Sequence, residues 1–367
     1  MSQQKKVYVF LGPSLPVADA RAVLDAEYLP PVSCGDITEL VLDREPPAAI
    51  GIVDGFFEQI PAVWHKEILF AISNGVHVYG ASSMGALRAA ELHRFGMHGV
   101  GRVFDGFASG EYTDDDEVTI VHAAAEDGYR PLSDAMVNLR AGLDAARAAG
   151  VISADTGTIL RDTAKSTYYP DRSWPRLLAD GVEKGVPSAE LAGLRDYVRA
   201  QRPDVKRDDA LALLWRMRAD LAQGYSPAVA DFDLEPTFYW EKLVAIVRQE
   251  RAARRADELL GAGPVALRRY LGEYEPQVLD AALGRVLAQR EAGRLGLIDD
   301  TGVPLDGDAA HQVLLQRYAG DLVGQSLTEL GNRGLVEATR AMLRVAASDS
   351  VAELDEPAAP LPAGRRE

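Results

Sequence analysis

The sequence predicts an α/β fold, an open parallel sheet flanked by helices, followed by an α-helical C-terminal domain. Short, nearly continuous apolar runs recur between Lys6 and Gly80, as expected of strands covered on both faces. Segments with helical start and stop signals alternate with them. From Ser133 onward the chain reads almost wholly as helix.

Lys6–Gly12 is a compact apolar strand that ends in Gly-Pro-Ser. Leu15–Leu29 reads as a helix with Pro16 near its first turn. A weaker strand is expected around Tyr28–Cys34, and Asp36 can cap a short helix through Leu42. Ala48–Val53 is the third strand and stops at Asp54-Gly55. Pro61 opens a helix that runs to Ser73, and Asn74-Gly75 turns the chain into the strand Val76–Gly80. A helix rich in Ala and Leu follows. Residues 96–131 look irregular, with repeated glycines and the acidic run Asp114–Glu117. Helices are then expected over 133–149, 153–166, 188–200, 207–222, 238–260, 264–273, 276–293, 308–318 and 326–345. These elements place an α/β core at 1–132, its helical continuation at 133–175, a helical domain at 176–347 and a disordered tail at 348–367.

The composition, 47% hydrophobic and 26% charged over 367 residues, supports a sizeable core. A formal charge of −16 argues against non-specific nucleic-acid binding, which needs a basic surface. It suits a basic protein partner or plain solubility. The single cysteine, Cys34, excludes an intrachain disulfide and any CxxC metal site, and fits a reducing cytoplasm. Cys34 reads as structural rather than nucleophilic. No apolar run reaches the ~20 residues needed to span a membrane. Neither the phosphate-binding G-x-x-x-x-G-K-[ST] pattern nor the dinucleotide glycine motif occurs.

The residues that carry chemistry gather at the strand ends. Ligands bind outside the carboxyl ends of open parallel sheets, and those ends here carry Gly12, Ser14, Asp54, Gly55, Gly80, Ser82 and Ser83. Ala81–Gly85 approximates the nucleophile elbow G-x-S-x-G, with alanine in place of the first glycine. Ser83 is therefore the candidate nucleophile; the plainer alternative is a helix N-cap. His65, near a helix start, can serve as a general base or pack on an amphipathic helix. Arg88 can bind a carboxylate terminus or pair locally with Glu91. Asp114–Glu117 offers oxygen ligands for magnesium or is a solvated face. Lys165 to Trp174 concentrates Lys165, two tyrosines, Arg172 and Trp174, and can fold over a cleft or mark a domain boundary.

Residues from about 6 to 175 resemble the TfuA-like proteins. The likeness rests on Pro61–Leu69, on Gly80-Ala81-Ser82-Ser83-Met84-Gly85-Ala86-Leu87-Arg88-Ala89-Ala90-Glu91-Leu92, on Gly96–Gly101 and on Asp114–Val118. The resemblance implies a role in peptide backbone thioamide formation beside a YcaO-family enzyme. It implies sulfide release by hydrolysis of the C-terminal thiocarboxylate of a ThiS-like sulfur-carrier protein. A non-catalytic adaptor or allosteric activator that binds YcaO is the alternative. For the hydrolase, Ser83 attacks, Lys165 or His65 accepts the proton, and the amides of Met84 and Gly85 hold the oxyanion; direct attack by water, with Ser83 only orienting the substrate, is the alternative. Ser82, Arg88, Asp54 and Arg172 complete the expected substrate contacts. No cofactor, resident metal, nucleic-acid partner or membrane is expected, and assembly into a homo-oligomer stays open.

Overall fold

The computed structural model describes residues 5–43, 45–57, 60–224 and 226–262, with parts of 284–310. The helices expected over 264–273 and 326–345, most of those over 276–293 and 308–318, and the tail lie outside the described residues.

Five strands form one parallel sheet: β1 (Val7–Phe10), β2 (Glu27–Leu29), β3 (Ala49–Ile52), β4 (His77–Gly80) and β5 (His98–Gly99). Their spatial order is β2-β1-β3-β4-β5. The chain thus reverses direction of growth at β1, and the neighbouring ends of β1 and β3 form the topological switch point. Side chains alternate between the two faces. Phe10, Ile50, Ile52 and Val78 join a core with α2 (Asp36–Val41), α3 (His65–Ser73) and α4 (Met84–Leu92). Val9, Ala49, Val53 and Tyr79 face the other way, toward Ala20 of α1 (Val17–Arg21) and α10 (Val205–Ala222).

α10 reaches the sheet after a helical layer built from α6 (Met136–Ala148), α7 (Ala154–Ser166), α8 (Trp174–Glu183) and α9 (Ser188–Gln201). That layer closes on its own core of Met136, Leu139, Leu143, Leu160, Leu177 and Leu194. α10 then presents Leu213 and Met217 to Gly51 of β3, where an added Cβ would lie 2.8 Å from the Met217 sulfur. Only glycine admits so close an approach of helix to strand. At the same helix, Asp209 accepts the Arg102 and Val103 amides at 3.0 and 2.8 Å, capping α5 (Arg102–Ser109). The Tyr79 hydroxyl donates to Asp220 at 3.0 Å.

The first compact unit comprises Met1–Val41 and Glu45–Glu235; the second comprises Leu42–Arg44 and Pro236–Glu367. The division into compact units falls near 235, and α10 covers one face of the sheet. The second unit contains the long helix α11 (Phe238–Ala262). The sequence-based reading also overlooked β5, α5 and α8, and extended the first helix beyond Arg21.

Candidate active site

The strand ends converge as the topology requires. Asp54, just past β3, accepts the Gly12 amide at 2.8 Å and the Ser14 amide at 3.1 Å through Oδ2. Its Oδ1 accepts the Ser14 hydroxyl at 2.6 Å. One buried carboxylate thereby ties the loop after β1 to the end of β3 across the switch point. Three donors occupy Asp54, so it holds the loop in place.

At the next strand end the chain bends sharply. The Ser83 amide donates to the Ala81 carbonyl at 2.8 Å, and the intervening Ser82 has φ +70°. A three-residue turn with positive φ at its centre is a strained γ-turn, worth about 1–3 kcal/mol for a residue with a Cβ. The turn launches α4 with Ser83 at its N-cap, and the Ser83 carbonyl accepts the Ala86 and Leu87 amides. Gly85 lets α4 begin this close to the sheet: a Cβ there would sit 1.8 Å from the Ile52 carbonyl oxygen. Its amide donates to the Val53 carbonyl at 3.3 Å. That amide is spent on the sheet, away from the acyl oxygen it was expected to hold.

The two serines differ. Ser83 is 3% exposed and its Oγ receives a hydrogen bond from the Lys206 amine at 3.2 Å. Ser82 is fully buried, and its Oγ has no hydrogen-bond partner among the described residues. An unpaired buried hydroxyl costs on the order of 1–3 kcal/mol. Strain and an unmet hydrogen bond therefore fall on one side chain.

Lys206 lies in the first turn of α10 and is 3% exposed. Its amine also donates to the Val118 carbonyl at 2.9 Å. The helix start is fixed from outside: the Lys206 amide donates to Asn138 Oδ1 at 3.2 Å, and Asn138 Nδ2 donates to the N-cap residue Asp204 at 2.9 Å. Burial drives the Lys206 pKa below the ordinary lysine value, against the opposing pull of the Asp54 and Asp204 carboxylates. A desolvated amine touching a serine hydroxyl is the arrangement of a base and a nucleophile.

The remaining expected residues are brought together elsewhere. His65 Nε2 meets Glu91 Oε2 at 2.9 Å near the C-terminal end of α4, two turns or about 12 Å along the helix from Ser83. Arg88 joins the same cluster, donating to Glu91 at 2.8 Å and to the Val63 carbonyl at 3.1 Å. Lys165 Nζ is bound by Asp114 at 3.0 Å, by Glu117 at 2.9 Å and by Asp116. Partial burial would lower its pKa, but hydrogen bonds to Asp116, Glu117 and Asp114 raise it above the ordinary value, the wrong direction for a base. Arg172 is buried and clamps loop to helix, donating to the Asp116 carbonyl at 2.7 Å and carboxylate at 2.5 Å. It donates further to the carbonyls of Ala164 and Thr167. Asp114, Asp116 and Glu117 of the acidic run are thus engaged by Lys165, Arg172 and Arg140, and no group of three metal-ligating side chains suited to an ion occurs among the described residues.

Lys206 is the residue that reading the sequence did not find. Val205-Lys206-Arg207-Asp208-Asp209 looks like the solvated start of a helix. The available signal was its position on the face that continues through Ala210, Leu213 and Met217.

No curated protein matches the chain. No helix among the described residues is long and apolar enough to cross a membrane. Residues 54–173, about a third of the chain, match the family described as TfuA-like protein, and this stretch runs from Asp54 through Ser83 to the Lys165–Arg172 clamp. Residues 54–173 are thus similar to the TfuA-like proteins, a family associated with YcaO-dependent, thioamide-forming systems.

Proposed function

We propose that this chain releases sulfide for thioamide formation by hydrolysing the C-terminal thiocarboxylate of a ThiS-like sulfur-carrier protein, in support of a partner YcaO-family enzyme. The observation that carries this reading is the Ser83–Lys206 pair, with the Lys206 amine 3.2 Å from Ser83 Oγ at the carboxyl edge of the sheet.

Ser83 Oγ attacks the thiocarboxylate carbon while its proton passes to the neutral Lys206 amine. The carbon–sulfur bond breaks, and sulfur leaves as hydrosulfide with the proton returned from Lys206. Water then attacks the acyl-serine, again giving a proton to Lys206. The ester bond breaks, Ser83 recovers its proton, and the carrier departs as a carboxylate. The net change is thiocarboxylate plus water to carboxylate, hydrosulfide and one proton. The near-complete burial of Ser83 favours a thin substrate, and an extended Gly-Gly tail without side chains is the narrowest acyl group a protein can offer. His65, Lys165, Arg88 and Arg172 keep structural and surface roles in this scheme, and Asp54 positions the loop carrying Ser14.

The test is incubation of thiocarboxylated carrier with the full chain and measurement of sulfide. Ser83→Ala and Lys206→Met should each lower turnover by about 100-fold or more. If the unaltered chain releases no sulfide above background yet raises the turnover of YcaO, the protein is the non-catalytic adaptor instead.

A further inference from the structure

The Ser83–Lys206 pair supplies a nucleophile and a base, but acyl transfer also needs a donor for the oxygen that becomes negative. The Gly85 amide is committed to Val53, and the Ala86 and Leu87 amides to the Ser83 carbonyl. Beside Ser83 one buried side-chain donor stays uncommitted, the Ser82 hydroxyl, 0% exposed and without a partner among the described residues. The same residue has φ +70°, a conformation that glycine would adopt without strain. A side chain that adds strain and an unmet hydrogen bond serves neither the turn nor the packing. We propose that Ser82 is a catalytic residue, its hydroxyl donating a hydrogen bond to the acyl oxygen of the carrier's thiocarboxylate as that oxygen gains charge.

The inference rests on the sulfide-releasing reading above and adds to it the residue that stabilises the intermediate. Ser82 keeps its proton throughout; no bond to it forms or breaks. Because the oxygen carries most negative charge in the tetrahedral state, the interaction belongs to the transition state more than to the bound substrate. Its loss should therefore fall on kcat and spare KM.

Ser82→Gly and Ser82→Ala separate the catalytic role from a structural one. Glycine removes the hydroxyl and relieves the backbone strain; alanine removes the hydroxyl and retains the strain. Both should lower kcat for sulfide release from thiocarboxylated carrier by about 100- to 1000-fold, with KM changed less than threefold. The thermal midpoint of Ser82→Gly should be at or above that of the unaltered chain, and above that of Ser82→Ala. Retention of kcat within threefold by Ser82→Gly overturns the proposal, as does a loss that appears only in KM. Ser83→Ala and Lys206→Met are measured alongside. If these two keep full turnover, the nucleophile–base reading fails; if they lose it while Ser82→Gly does not, only the role of Ser82 fails.

Discussion

Lys206 is buried and held by a hydroxyl and a carbonyl, not by a carboxylate. Burial lowers its pKa while Asp54 and Asp204 act only through their fields. A neutral amine can take the proton of Ser83, and an ammonium cannot. Sulfide release should therefore rise with pH through the lowered pKa of Lys206, below the ordinary 10.5. Lys206→Arg, which stays charged, should cut kcat by about 100-fold or more and remove that limb from the pH profile. A rate limb retained unchanged in Lys206→Arg would assign the proton to another group. The stability consequence has a fixed sign. Between the folded and unfolded pKa the unfolded chain binds more protons, so this residue makes stability increase with pH toward 10.5. Lys206→Met should abolish that increment, read as the difference between denaturant midpoints at neutral and alkaline pH. At this scale the sequence exposed Ser82, Ser83 and Asp54 because each follows a recognisable strand. Lys206 stayed hidden because its contact with Ser83 spans 123 residues and its neighbours in sequence are charged.

The short helical turn Asp115–Glu117 links charge to geometry at the next scale. Glu117 is buried and takes both Arg140 nitrogens at 2.9 Å and the Lys165 amine at 2.9 Å. The following residue, Val118, lends its carbonyl to Lys206. The clamp therefore fixes the acceptor that aims the amine. Glu117→Gln leaves two cations facing a neutral amide and should destabilise the first unit by about 3 kcal/mol, measured by denaturant unfolding. It should also lower kcat for sulfide release in protein that remains folded. An unchanged rate would uncouple the clamp from the site. Alternating β and α elements were readable up to α4, since short, nearly continuous apolar runs and turn residues mark them. β5 has two residues, too short to display a period, and α5 starts at Gly101-Arg102 without a side-chain cap of its own. Its cap is Asp209 from α10, a partner that no local pattern reveals.

Across the molecule, the residues of the proposed site all belong to one compact unit. Ser82, Ser83, Asp54, Ser14, Val118 and Lys206 lie within Met1–Val41 and Glu45–Glu235. That unit ends in a segment tied back to its own helices and strands: the Ala228 amide donates to the Gly75 carbonyl at 2.9 Å, and Lys66 Nζ to the Glu235 carbonyl at 2.5 Å. A unit ending at 175 would lack α10, which packs on one face of β3 and β4 and carries Lys206. Apolar periodicity revealed α10 as a helix but not its destination, because Lys206, Asp209 and Asp220 interrupt the apolar stripe at the positions that bond to Ser83, α5 and β4 respectively. This placement separates chemistry from partner recruitment in a testable way. A chain ending at Glu235 that unfolds cooperatively should hydrolyse thiocarboxylated carrier with a kcat within about threefold of the full chain, since every group of the proposed mechanism is kept. A chain ending at Asp204 should form no such site, having lost Lys206 and the sheet cover together. If the longer truncation is folded yet releases no sulfide, residues 236–367 take part in the reaction itself. If it releases sulfide but no longer raises YcaO turnover, the second unit carries the partner contact and the first carries the hydrolysis.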